Sequence, residues 1–167
     1  GSGNLTYGIT NYRAENVIHD TGIRVGYWRA VSNNLNAFAI ESFMDELALT
    51  AKKDPVAFRM GLLSKHPRAQ KVLSTAAHKA GWGKPLAQGR GLGVAQMECY
   101  DAYITVIAEV SLTEGKPKVH KLTCAVDPGI AVRPDQVLAQ IESGLRLGFS
   151  TSMKNEITFK DGAAQQK

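Results

Sequence analysis

A glycine, two aromatics and an arginine stand together at Gly26-Tyr27-Trp28-Arg29, in a stretch with neither helical nor strand period. Glycine lets a backbone come close to a ligand. Arginine offers a planar fork of donors that suits phosphates and other oxyanions. An irregular loop that runs straight into a patterned helix is a common place to hold binding groups. Taken alone, the loop has a commoner meaning, an arginine stacked on a tryptophan to cover apolar surface.

Gln140 is the second candidate. Its amide both donates and accepts, on an apolar-rich segment that also carries Gly144 and Gly148 four residues apart. That spacing permits close approach of another backbone or a ligand. From the residues alone, Gln140 is a solvated helix-surface glutamine. Other constellations mainly exclude. Gly89-Arg90-Gly91-Leu92-Gly93 lacks the Gly-Lys-Ser/Thr of a P-loop, and no helix pattern follows it, so it reads as a flexible entry to a strand. His19, His66, His78 and His120 have no ligand spacing with each other or with cysteine, which argues against zinc. Asp127 precedes Pro-Gly and reads as a turn cap, and Glu142 as half of a surface pair. No Ser/His/Asp or Cys/His arrangement follows from the spacing.

The chain of 167 residues is 44% hydrophobic, which fits one globular domain and argues against disorder. Gly1-Ser2-Gly3 reads as an expression scar, leaving residues 4–167 for the fold. Two cysteines, Cys99 and Cys124, are too few for a disulfide framework or an iron–sulfur centre. Both fall in strand-like segments and read as buried free thiols, which fits a bacterial cytoplasm better than a periplasm. The net charge of +5 comes from scattered Lys and Arg, so specific nucleic-acid binding is not expected. No apolar run is long enough to span a bilayer.

These candidates need elements to hold them. Residues 4–33 lack a period and read as loop with one short strand at most. A helix over about 36–52 follows, with Ile40, Phe43, Met44, Leu47, Ala48 and Ala51 on one stripe and Glu41, Asp45 and Glu46 off it. Asp54-Pro55 caps and opens a second helix, with Val56, Met60 and Leu63 as core. Pro67 opens a third, bearing Val72, Leu73, Ala76, Ala77 and Ala80, and Gly81 ends it in a left-handed cap. From Gly89 to Val126 the period becomes two. A strand from about Gly91 to Cys99, a long strand through Tyr103–Leu112 with one face better buried, and a returning strand over Val119–Val126 form an antiparallel sheet, turning at Glu114-Gly115. A fourth helix covers about 134–153, with Val137, Ile141, Leu145 and Phe149 on one stripe. A short strand over 155–160 precedes the Asp161-Gly162 turn. The predicted class is α+β, a helical layer on a small antiparallel sheet.

Several segments then acquire a joint meaning. Gly26-x-Trp28-Arg29-x-Val31 is followed by Asn36-x-Phe38-x-x-Glu41-Ser42-Phe43-x-Asp45-Glu46-Leu47-Ala48. Next come Asp54-Pro55-x-x-Phe58-Arg59-x-x-Leu62-Leu63, Ala80-Gly81-Trp82-Gly83, Gly89-Arg90-Gly91-Leu92-Gly93-Val94-Ala95 and Cys124-Ala125-Val126-Asp127-Pro128-Gly129. The last is Pro134-Asp135-Gln136-Val137-Leu138-Ala139-Gln140-Ile141-Glu142-Ser143-Gly144. In order and spacing, from about Gly22 to Gly162, this resembles the molybdopterin-binding large subunit of the molybdenum hydroxylases. The resemblance is to the isoquinoline 1-oxidoreductase beta-subunit and aldehyde-dehydrogenase branch of the xanthine oxidase family.

The resemblance implies a parent enzyme that hydroxylates aldehydes or N-heterocycles with oxygen from water, using a molybdopterin cofactor that passes electrons to iron–sulfur centres elsewhere. It implies that Trp28 and Arg29, with Gly26, lie beside the molybdenum centre, and that Gln140, with Gly144, contacts the cofactor. The family's catalytic glutamate sits in Gly-x-Gly-Glu. Neither that motif nor the family's Gly-Gln-Gly occurs here, and Ser143 replaces a usual glycine. The expectation is therefore a partial-length piece without a catalytic residue or metal ligand of its own, inactive alone. Its partners would be the remainder of the large subunit and an iron–sulfur subunit, and an exposed apolar face would favour self-association. A different class stands beside it, a non-catalytic binding or assembly module that kept the fold and covers that face or uses it for a defined partner.

Overall fold

The computed structural model describes residues 5–166. Gly1-Ser2-Gly3, read as an expression scar, lies outside the described residues. The elements follow in the order α1 (Asn33–Thr50), α2 (Pro55–Leu62), α3 (Pro67–Ala80), β1 (Arg90–Cys99), β2 (Ala102–Thr113), β3 (Lys116–Asp127), α4 (Pro134–Met153), β4 (Phe159–Lys160) and β5 (Ala163–Ala164). The α+β class is borne out, and no strand forms in residues 5–32.

Contacts divide the chain into two units. The first takes residues 5–15 and Trp28–Gly129. Its strands form an antiparallel meander in the order β1-β2-β3. Asp54 caps α2 through the Ala57 N–H at 2.8 Å, with Pro55 at the first helical position. Gly81 closes α3 at φ 75°, a left-handed conformation that a side chain would strain. The Glu114-Gly115 turn has φ 51° and 75°, the pair of positive values that a two-residue hairpin needs.

One face of the sheet carries the helices, α1 on β1 and α3 on β2 and β3. Met44, Leu63, Ala69, Leu73, Ala76 and Ala77 meet Val94 and Ile107 there. Each fully buried Leu or Ile of this set stabilises by about 1.5–3 kcal/mol. On β2 the buried face is the more polar one, with Thr105 and Ile107 at 0% and 1% exposure, while Ile104, Val106 and Val110 stay half-buried.

The stripe expected on α1 is rotated. Met44 and Ala48 are buried, but Phe43 is 58% exposed, Ala51 is exposed, and Glu41, expected off the stripe, is 4% exposed. The reason is a set of partners for its carboxylate, described below. Val56 and Met60 are half-buried, and the fully buried α2 residue is Arg59.

The second unit takes Asn16–Tyr27 and residues 130–166. It holds α4 and the β4–β5 hairpin, which turns at Asp161-Gly162 as expected. None of its described residues is fully buried; on α4, Val137, Ile141 and Leu145 are half-buried and Phe149 is 39% exposed.

Candidate functional site

Much of what looks chemical in the sequence holds the first unit together. The Glu41 carboxylate accepts from Tyr7 Oη, Arg59 Nε and the Gln96 N–H, each at 2.9 Å. Arg59 also donates to the Glu41 carbonyl at 2.9 Å and to Asp45 at 2.7 Å. Four separate segments are joined in one satisfied buried network, and no buried side-chain polar atom among the described residues lacks a partner. Burial pushes the Glu41 carboxyl upward, against the Arg59 charge and the donated hydrogen bonds that favour its ionised form. Burial also raises the Tyr7 hydroxyl, so it stays a donor. The Glu41 and Arg59 of the matched motifs are thus structural, and leaving either charge alone would cost about 3–5 kcal/mol.

A second clamp closes the sheet at its β1–β2 turn end. Arg68 donates to both Asp127 oxygens at 2.9 Å and to Asp101 Oδ1 at 2.7 Å, and lies 4.6 Å from the Tyr103 ring centroid. The Arg68 bonds and the Gly129 N–H hold the Asp127 carboxyl down to about 2. Asp127 is the expected turn cap and has an ion-pair role besides. Trp82 is likewise occupied, donating through Nε1 to Asp54 at 2.8 Å.

The Trp28–Asn33 loop is built differently. Val31 N–H donates to the Trp28 carbonyl at 2.8 Å and Asn33 N–H to the Ala30 carbonyl at 2.9 Å. Between them Ala30 and Val31 take φ 71° and 54°. A β-branched residue there is strained, by about 1–3 kcal/mol. The loop displays Trp28, 55% exposed, and an exposed Arg29.

In the second unit Gly26 lies in the exposed Asn16–Tyr27 stretch, with nothing within 4 Å of where its Cβ would be. On α4, Gln140 is exposed and Gly144 half-buried. Trp28 and Arg29 are therefore together on one loop of the first unit, while Gly26, Gln140 and Gly144 belong to the second. Glu142 pairs with Arg146 at 3.5 Å as a surface pair.

One arrangement was not legible in the sequence. Ser111 Oγ and His120 Nε2 lie 2.8 Å apart across β2 and β3. A one-residue irregularity at Glu109/Val110 shifts the register beside them. Among the described residues no carboxylate is bonded to the other ring nitrogen, so the pair lacks there the third group of a hydrolytic triad. Among the described residues no group of three or more His, Cys, Asp or Glu could hold a metal ion, and no helix is long and apolar enough to cross a membrane.

No family model and no solved structure matches the chain. Curated proteins do. Over 98% of its length it is 30% identical to the beta-subunit of isoquinoline 1-oxidoreductase from Brevundimonas diminuta. It is 28% identical over 87% of its length to a nicotinate dehydrogenase subunit from Pseudomonas putida. It is 29% identical over 81% to a membrane-bound aldehyde dehydrogenase of Gluconacetobacter polyoxogenes, whose name specifies pyrroloquinoline quinone. The chain spans 22%, 14% and 20% of these proteins. This agrees with the resemblance read from the motifs, and the chain is a homologue of one segment of the isoquinoline 1-oxidoreductase beta-subunit group of oxidoreductases, about a fifth of such a protein in length.

Proposed function

We propose that these residues form one module of a molybdenum hydroxylase large subunit acting on aldehydes or N-heterocycles, and that Gly26, Trp28, Arg29, Gln140 and Gly144 contact its molybdopterin. The similarity to the isoquinoline 1-oxidoreductase beta-subunit along 98% of the chain carries this reading. The division of labour among the matched motifs supports the residue choice. Glu41 and Arg59 are buried in the core network, whereas Trp28 and Arg29 are solvent-exposed on a held loop.

The donor chemistry fits a phosphorylated pterin. Arg29 would bind and neutralise a phosphate oxygen, Trp28 would present an aromatic face, and the Gln140 amide would donate and accept at a pterin edge. When bound, the cofactor supplies the two-electron oxidation. The proton-abstracting glutamate of the family motif has no counterpart in these residues, so they do not turn over substrate alone. The thiols of Cys99 and Cys124 are both free, which supports a reducing, cytoplasmic setting.

The partners are the rest of the large subunit and, through it, an iron–sulfur subunit. The outer side of α1 supports a covered state, because Leu35, Phe38, Phe43 and Leu49 are 58–79% exposed. Native mass spectrometry with molybdenum and pterin quantified on the same sample tests the reading. A bare mass and no oxidation of aldehyde or N-heterocycle is the expected result, and stoichiometric cofactor or turnover would overturn the inactive state. In a full-length subunit carrying this segment, Arg29→Ala should lower molybdenum content at least about tenfold. Unchanged molybdenum content, or a quinone in its place, would reject the assignment.

A further inference from the structure

A cleft of about 170 Å³ lies in the first unit, between the corner that opens α1 and the tip of the β1–β2 hairpin. We propose that it binds a single planar heteroaromatic ring with an amidine-type edge, of which 2-aminopyridine is the simplest example. This goes beyond the hydroxylase reading and does not depend on it.

Size sets the first limit. Pockets for drug-sized ligands run to about 300–1,000 Å³, so this cleft takes one ring and not a whole cofactor. Val31, Met97 and Tyr100 supply apolar wall. The polar groups decide the ligand's edge. Glu98 accepts the Asp101 N–H at 3.1 Å through Oε1, which leaves Oε2 open. Asn33 commits its Nδ2 to Cys99 Sγ at 3.1 Å, which leaves Oδ1 as its open acceptor. Ser32 stands at the N-cap of α1 without a side-chain capping bond. Two open acceptors, one a carboxylate, ask for adjacent N–H donors on one edge and disfavour an anion. A protonated amidine edge meets that demand, with two adjacent N–H donors, while its ring lies against the apolar wall.

The walls are set before a ligand arrives. Arg68 holds Asp101 through its carboxylate and its carbonyl. The opposite corner is closed by the Val31 and Asn33 backbone bonds. Both walls contain non-glycine residues at positive φ, Ala30 and Val31 on one side and Tyr100 and Asp101 on the other. Nor does α1 need Glu98 for its first turn: Leu35 N–H goes to Asn34 Oδ1 and Asn36 N–H to the Ser32 carbonyl.

Cys99 lines the cleft and Cys124 does not, so alkylation followed by mass spectrometry reads occupancy directly. At mildly acidic pH, where 2-aminopyridine carries its ring proton and so presents two adjacent N–H donors, it should slow alkylation of Cys99 in a saturable way and leave Cys124 unaffected. Pyridine, without the amino donor, and benzoate, an anion, should not protect. Glu98→Gln should raise the half-protecting concentration about tenfold or more, the loss of one charge-assisted hydrogen bond. Met97→Trp, which fills the cleft and keeps the charge, should abolish protection. An unchanged Cys124 rate in each variant reports an intact fold. No protection in the unaltered chain, equal protection by pyridine, or full protection in Met97→Trp would overturn the proposal.

Discussion

The two units reach order by different means. The first buries an apolar cluster between helices and sheet and closes it with two ionic clamps, one at Glu41–Arg59 and one at Arg68–Asp127. The second has regular helix and turn geometry but no fully buried residue among those described. Its α4 therefore draws little on burial, the term that supplies most helix stability in proteins. The displayed candidates divide along the same line. Trp28 and Arg29 stand on the unit with the core, and Gly26, Gln140 and Gly144 on the unit without one. Good helix periodicity reports that a helix will form against something; it does not report that the something lies within the same stretch of chain.

The largest expected effect would break the first unit at its buried charge. Arg59→Met strands Glu41 in the core and should cost about 3–5 kcal/mol, read as a loss of denaturant midpoint. Restoring neutrality with Glu41→Gln in the same chain should recover part of it. Leu73→Ala, at a residue with no exposure, should cost about 2–5 kcal/mol by the same measurement. Leu138→Ala on α4, 61% exposed, should change it by less than about 0.5 kcal/mol, and an effect as large as Leu73→Ala would erase the contrast between the units.

Smaller effects sharpen the comparison. Asp54→Ala removes the α2 cap and the Trp82 bond and should cost about 1 kcal/mol. Asp127 titrates near 2 in the fold against its usual 3.8, so its contribution is present above pH 3.8 and disappears as pH falls toward 2. Asp127→Asn should flatten that part of the acid-unfolding profile, and an unchanged profile would remove the clamp from the account. Amide exchange should be slowest in β2 and fast throughout α4, since opening free energy follows burial.

Much of the fold was legible locally. Asp54-Pro55, Gly81 and Glu114-Gly115 marked a cap, a helix end and a hairpin turn, and each sits where its backbone chemistry requires. The Tyr100–Asp101 turn was not legible, because Tyr100 is not a residue that positive φ favours and no glycine follows it; Arg68 and Glu98 bonds hold the turn. The α1 stripe was misplaced for a related reason. Apolar residues lie on several sides of that helix, so period alone could not choose its inward face. The choice fell to Glu41, whose partners Arg59, Tyr7 and Gln96 lie 18, 34 and 55 residues away in sequence.

The sequence by itself determined the α+β class, the element order and the kinship with the isoquinoline 1-oxidoreductase beta-subunit, because caps, turns and periodicity act over a few residues and motif order survives in the chain. Tertiary structure alone decided which charged motif residues are consumed by the core and which are displayed. A carboxylate can be buried only where donors converge on it, and that convergence belongs to the folded chain.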